Sequence, residues 1–228
     1  MDTQARRLYA IIDVETCHLR GLHVLDFARQ VCAAQPRIAQ LRAKRSTARE
    51  TLELLRGLVD VARQQGVLVF ANDRPDLALL AGADGIHVGQ DDLPLSIVRR
   101  VAPNLRLGVS THSEAQLRQA LSEVPDYVAI GPVYSTVSKQ DAQATVGIVG
   151  LVAAARMTRA ANIPLVAIGG IDESRIGEVA AHADWIAVIS ALLPKSGRLA
   201  DVTSHVEALN QAIARKGGPP CPPSRRTA

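Results

Sequence analysis

Short apolar runs recur along the chain, each closing on a polar cluster and each followed by a stretch with helical spacing. The runs predict strands over Leu8–Val14, Arg37–Leu41, Val67–Ala71, Gly85–Val88, Arg106–Val109, Tyr127–Gly131, Pro164–Ile168 and Trp185–Ile189. Between them, His23–Ala34 places Val24, Phe27, Ala28 and Val31 on one helical face. Thr47–Gln65 turns Leu52, Leu55, Leu58, Val59 and Ala62 inward and meets Gly66 as a stop. Pro75–Ala81, Leu95–Val101, Ser113–Leu121, Ile148–Ala161, Glu173–His182 and Ala200–Arg215 complete the predicted helices. Eight strand–helix units of roughly 25 residues each predict an α/β fold, a (β/α)8 TIM barrel.

The expected division is a short extension over 1–7, one barrel domain over 8–215, and a disordered tail over 216–228. The tail's Gly217-Gly218-Pro219-Pro220-Cys221-Pro222-Pro223 suits neither helix nor strand. At 228 residues the chain fits the ~250 usual for such a barrel, and no second domain fits beside it. Hydrophobic residues make up 47% and aromatic ones only 3%, so the core must be built from Ala, Val, Leu and Ile, as buried parallel strands require. No apolar run reaches the ~18 residues of a membrane span, and Met1–Arg7 lacks the apolar segment of a secretory signal. Cys17, Cys32 and Cys221 form no metal-ligand or pairing pattern, which fits a reduced, cytoplasmic protein. The formal charge of +4 belongs to Arg215, Lys216, Arg225 and Arg226, in a terminal stretch without acids, so it does not point to a nucleic-acid partner. Ala- and Leu-rich helix faces serve a core or a homo-oligomer interface equally.

In a parallel barrel all strands end at one edge, where chemistry is placed. There fall Gln40, Arg42 and Lys44 after the second strand, Asn72 and Asp73 after the third, and Asp92 after the fourth. Ser110 and His112 follow the fifth, Ser135, Thr136, Ser138 and Lys139 the sixth, Gly169-Gly170 the seventh, and Ser190 the eighth. Such clustering points to an active site taking small-molecule substrates. Asp73 and Asp92, on neighbouring strand ends, suit a Mg2+ that keeps several waters and binds substrate phosphates; the alternative is that each caps the following helix. Arg42 and Lys44 share a direction and suit a diphosphate, or form a solvated pair with nearby acids. Gly169-Gly170 and Ser190 occupy the positions where barrels often hold phosphate, unless the glycines only make a tight turn. Lys139 lies in a polar loop, Pro132–Gly147, long enough for a lid, where it would meet developing negative charge. His87, between Ile86 and Val88, reads as a packing residue, and His112 either faces the site or bonds backbone. There is no nucleophile elbow and no dinucleotide fingerprint.

From about Leu8 to Leu193 these stretches, in order, resemble thiamine phosphate synthases. The matching motifs are Gln40-Leu41-Arg42-Ala43-Lys44, Ala71-Asn72-Asp73-Arg74 and Ala83–Pro94, then Gly108-Val109-Ser110-Thr111-His112. Asp126–Tyr134, Ala167-Ile168-Gly169-Gly170-Ile171 and Ala187-Val188-Ile189-Ser190-Ala191 continue them. The resemblance implies a TIM barrel that joins 4-amino-2-methyl-5-hydroxymethylpyrimidine diphosphate to a (carboxy)thiazole phosphate and releases pyrophosphate through a carbocation-like step. It implies Mg2+ on Asp73 and Asp92, and Gln40, Arg42, Lys44 and Asn72 around the diphosphate and pyrimidine. Ser110 and Lys139 would attend the leaving diphosphate, and Thr136, Ser138, Gly170, Ile189 and Ser190 the thiazole phosphate. Ala43 stands where the family usually has Glu, which is expected to loosen Arg42 or Lys44, and Ser138 where it usually has Thr. The rivals are a thiazole tautomerase, which typically has His where Pro132 stands and lacks the acidic pair, and a non-catalytic sensor of thiamine precursors.

Overall fold

The computed structural model describes residues 7–136 and 144–216 of the chain. Eight parallel strands close into a barrel in sequence order, β8 pairing back onto β1 through Leu8 opposite Ile186. They are β1 Leu8–Asp13, β2 Ile38–Arg42, β3 Leu68–Asn72, β4 Gly85–Val88, β5 Arg106–Thr111, β6 Tyr127–Ile130, β7 Leu165–Ile168 and β8 Trp185–Val188. The helices are α1 Val14–Leu19, α2 Val24–Ala33, α3 Ala48–Arg63, α4 Pro75–Ala81, α5 Leu95–Val101, α6 Glu114–Ser122, α7 Gly147–Ala161, α8 Ile176–Ala180 and α9 Val202–Lys216. None of them is long and apolar enough to cross a membrane.

Two-residue alternation along each strand divides the apolar residues into two cores. Leu8, Ala10 and Ile12 of β1, Ala39 and Leu41 of β2, Val69 and Ala71 of β3 and Ile86 and Val88 of β4 face the helices. The opposite parity, led by Tyr9, Ile38, Phe70, Tyr127, Val166 and Trp185, fills the barrel interior. Those aromatics are few, and they sit where the small residues of neighbouring strands make room. A Cβ on Gly108 would lie 1.9 Å from Cζ of Tyr127, so only glycine leaves space for that ring.

β2 and β3 each start one residue later and run one residue further toward the rim than the apolar pattern predicts, and β5 runs two residues further. β2 ends at Arg42 and β3 at Asn72, because backbone pairing continues past the last apolar side chain: Asp13 is registered against Arg42, and Asn72 against His87. β1 conversely ends at Asp13, since that side chain caps α1 by accepting from the Thr16 amide at 2.8 Å and draws Val14 into the helix. α1 itself was not expected. α8 is shorter than the predicted Glu173–His182, because Asp172 bonds the Ser174 and Arg175 amides and holds the first residues as a turn. α9 extends to Lys216, the position at which the tail was expected to begin; residues 217–228 lie outside the described residues, as do 1–6. Cys17 and Cys32 are both buried, and burial pushes each thiol up to about 12, so neither is a thiolate near neutrality.

Candidate active site

The inward parity of β1 to β5 ends in Asp13, Arg42, Asn72, His87 and Ser110, which puts a polar lining above the aromatic layer. Beyond the ladder, Lys44 follows β2 and Asp73 follows β3, and the two side chains form an ion pair. Asp73 takes a left-handed backbone conformation, φ 62°, with its amide donating to the His87 carbonyl at 2.9 Å. This turn aims the carboxylate across to the β4 side, where Asp92 stands within hydrogen-bonding reach. Burial first, and the neighbouring Asp92 second, raise the Asp73 carboxyl above its usual range, against the opposing pull of Lys44.

Neither aspartate caps a helix. α4 begins at Pro75 with Arg74 as its cap and no side-chain cap bond, and α5 likewise follows Pro94. Asp92 instead accepts from the Gly89 amide at 2.6 Å, folding the β4 loop back over the strand end. Two adjacent carboxylates with one half-neutralised by Lys44 are an electrostatic conflict that a divalent cation would relieve. Among the described residues no group of three or more His, Cys, Asp or Glu could hold a metal, so such an ion would draw its other ligands from water and substrate.

Arg42 has a partner that the sequence reading missed. Its Nη1 lies 2.5 Å from Asp13 Oδ2 and 3.9 Å from Glu15 Oε2, and Asp13 is only 5% exposed. Glu15 in turn accepts from the Arg45 amide at 2.7 Å, fixing the chain between Arg42 and α3. Ala43 points to the other side of β2 and packs against the outer core. Both cations therefore have carboxylate partners that do not involve position 43.

On the far side of the mouth, the β6 loop is stitched to β7: the Val133 amide donates to Ile168 and the Tyr134 amide to Gly169. Gly169 and Gly170 have φ of 98° and 62°, and a Cβ on Gly170 would meet the carbonyl oxygens of Ser135 and Tyr134 at 2.6 and 2.7 Å. Arg175 donates to the Gly170 carbonyl at 3.0 Å and lies over the Tyr134 ring. After β8, Ile189 leads into a 3-10 turn over Ser190–Leu192, which His205 of α9 holds through the Ala191 carbonyl at 2.8 Å. Thr136 is the last described residue before the loop's centre; Ser138 and Lys139 lie outside the described residues. His112 bonds backbone, its Nδ1 lying 2.6 Å from the Gly131 carbonyl oxygen.

The profile of the thiamine monophosphate synthase family matches residues 8–192. The chain belongs to that family. It is 37% identical to a thiamine-phosphate synthase of Chloroflexus aurantiacus, over 91% of this chain and 93% of the relative. It is 39% identical to one of Methanoculleus marisnigri, over 91% and 95%. The structure of a thiamine phosphate pyrophosphorylase from Pyrococcus furiosus superposes with a TM-score of 0.81 at 30% identity, covering 95% of this chain and 99% of that one. Family membership makes the chain a transferase of thiamine biosynthesis, as the sequence motifs led one to expect.

Of the positions that the motifs singled out, the fold joins Gln40 to Asn72 and Lys44 to Asp73, and sets Asp92 beside Asp73. Asp13, Glu15, Tyr9 and Tyr127 were not foreseen. Counting parity back from Asp13 through Ile11 to Tyr9 would have marked Asp13 and Tyr9 as inward-facing.

Proposed function

We propose that the chain condenses 4-amino-2-methyl-5-hydroxymethylpyrimidine diphosphate with a thiazole phosphate, forming thiamine phosphate and pyrophosphate. The observation that carries this reading is the Asp73–Asp92 pair facing Lys44 and, one strand over, the Asp13-anchored Arg42. That is the layout needed to hold a diphosphate as its charge grows.

Asp73 and Asp92 would hold Mg2+, which when bound neutralises diphosphate oxygens. Arg42 offers its fork to the same oxygens, and Lys44 a point charge. Gln40 and Asn72, bonded to each other at 2.7 Å, present amide groups to the pyrimidine. The C–O bond to the diphosphate breaks with its electron pair leaving on the diphosphate oxygen, and the aminopyrimidine delocalises the methylene cation. The thiazole nitrogen then donates its lone pair to form the C–N bond. No proton has to be removed from carbon, so the site needs no strong base and no protein nucleophile. By the family resemblance Ser110 and Lys139 attend the departing diphosphate. Gly170, Ile189, Ser190, Thr136 and Ser138 would take the thiazole phosphate; the left-handed backbone at Gly170 and the 3-10 turn after β8 support that reading. Retention of both aspartates and of Pro132 separates this reading from a thiazole tautomerase.

Asp92→Ala tests the metal assignment. We expect Mg2+-dependent turnover to fall by about 100-fold with the melting temperature nearly unchanged, because Asp92 lies in a loop and caps nothing. Full turnover in that variant would remove Asp92 from the metal site.

A further inference from the structure

The turn after β7 is braced from the start of α8 by one side chain. Arg175 lies five residues beyond Gly170, and Asp172 folds the chain between them. The Asp172 carboxylate accepts from the Ser174 amide at 3.0 Å, and its carbonyl accepts from the Arg175 amide at 3.1 Å. This fold returns the guanidinium to the segment it came from. Nη1 donates to the Gly170 carbonyl oxygen at 3.0 Å, and the guanidinium carbon stands 4.6 Å from the centre of the Tyr134 ring. Further along α8, Glu178 accepts from the Tyr134 hydroxyl at 2.9 Å. The ring is thus held on its face by one residue and at its tip by another.

Two successive peptides of the turn are anchored through their carbonyls. The Gly169 carbonyl accepts from the Tyr134 amide at 3.0 Å, and the Gly170 carbonyl from Arg175. A planar trans peptide points its N–H opposite to its C=O. These bonds therefore turn the Gly170 amide away from Tyr134 and the Ile171 amide away from Arg175. Neither amide donates to another described residue. A glycine pair with φ of 98° and 62° has no side chain to hold its own conformation and loses much freedom when ordered. The order comes from the carbonyl anchors, and on the Gly170–Ile171 peptide that anchor is Arg175. Arginine suits the task because its planar group can rest on a ring while an edge N–H donates in the same plane; lysine cannot do both at once.

We propose that Arg175 is a positioning residue for the thiazole phosphate: acting through the Gly170 carbonyl and resting on Tyr134, it sets the Gly170–Ile171 peptide so that the amides of the β7 turn are ready for the phosphate. The brace rests on the geometry of the turn, whereas the identity of the anion rests on the proposed function.

Arg175→Ala tests both. The side chain is exposed and makes no cap bond to α8, so we expect a near-parental melting temperature. KM for the thiazole phosphate should rise about tenfold, with kcat and KM for the pyrimidine diphosphate within about twofold of the parent. No change, or equal loss for both substrates, overturns the positioning role. Arg175→Lys should fall between the parent and the alanine variant. Full recovery with lysine would mean that charge alone acts at this position, and overturns the brace. A second readout needs no turnover: hydrogen exchange of the Tyr134 amide, bonded to Gly169, should quicken about tenfold in Arg175→Ala. Unchanged exchange there overturns the brace. If the parent chain forms no thiamine phosphate, the proposed function fails while the exchange measurement still decides the brace.

Discussion

At the residue scale, the site depends on which carboxylate faces which cation. Asp13 illustrates this, because one side chain serves two tasks: Oδ1 caps α1 and Oδ2 holds Arg42. Asp13→Asn keeps a good capping group and removes the charge. We therefore expect a near-parental melting temperature with kcat/KM for the pyrimidine diphosphate down about tenfold, the cost of losing a charge-assisted hydrogen bond. Unchanged kinetics would mean that Arg42 is held without Asp13. The sequence made Asp73, Asp92, Arg42 and Lys44 legible because charge at the end of an apolar run is conspicuous. It left open whether the aspartates cap helices, and only the observed caps at Arg74 and Pro94 remove that alternative. Asp13 escaped because it ends a run that reads as uniformly apolar, with Val14 beyond it. His87 was read as a packing residue; it is buried, but its partners Tyr127 and Ser110 lie on other strands, 40 and 23 residues away, and no local pattern names them.

At the scale of elements, apolar runs located all eight strands, because a strand buried on both faces must be apolar along its length. Their rim ends were less legible, since Arg42 and Asn72 are held in the ladder by backbone bonds that do not depend on side-chain type. Thr47 and Glu50 form the capping box that starts α3, and Gly66 follows its end with φ 63°, so this long amphipathic helix could be read almost residue by residue. The interior layer could not, because it depends on side chains from β1, β3, β5, β6 and β8 meeting across the closed barrel. Gly108→Ala tests that layer: the added methyl would displace the Tyr127 ring. We expect a loss of about 1–3 kcal/mol in unfolding free energy by chemical denaturation. A fully stable variant would show that the ring has room to move.

At the scale of the whole molecule, barrel closure gathers acids, cations, hydroxyls and glycine turns from different strand ends onto one rim, and no single stretch of sequence carries that arrangement. Order along the chain does carry it indirectly, since parallel strands in sequence order must all end on the same side. The basic tail, by contrast, raises the pI without changing the balance of charge in the barrel, where acids and bases are equal in number. The central claim is that this rim drives diphosphate departure and captures the resulting cation with a thiazole nitrogen. The most direct measurement is pyrophosphate and thiamine phosphate formation from the two substrates, with Mg2+ present and after its removal by a chelator. We predict that both products appear in equal amounts, only with both substrates and the metal, and that adding Mg2+ back restores them. Binding of either phosphate without any thiamine phosphate formed, at any Mg2+ concentration, would contradict the account.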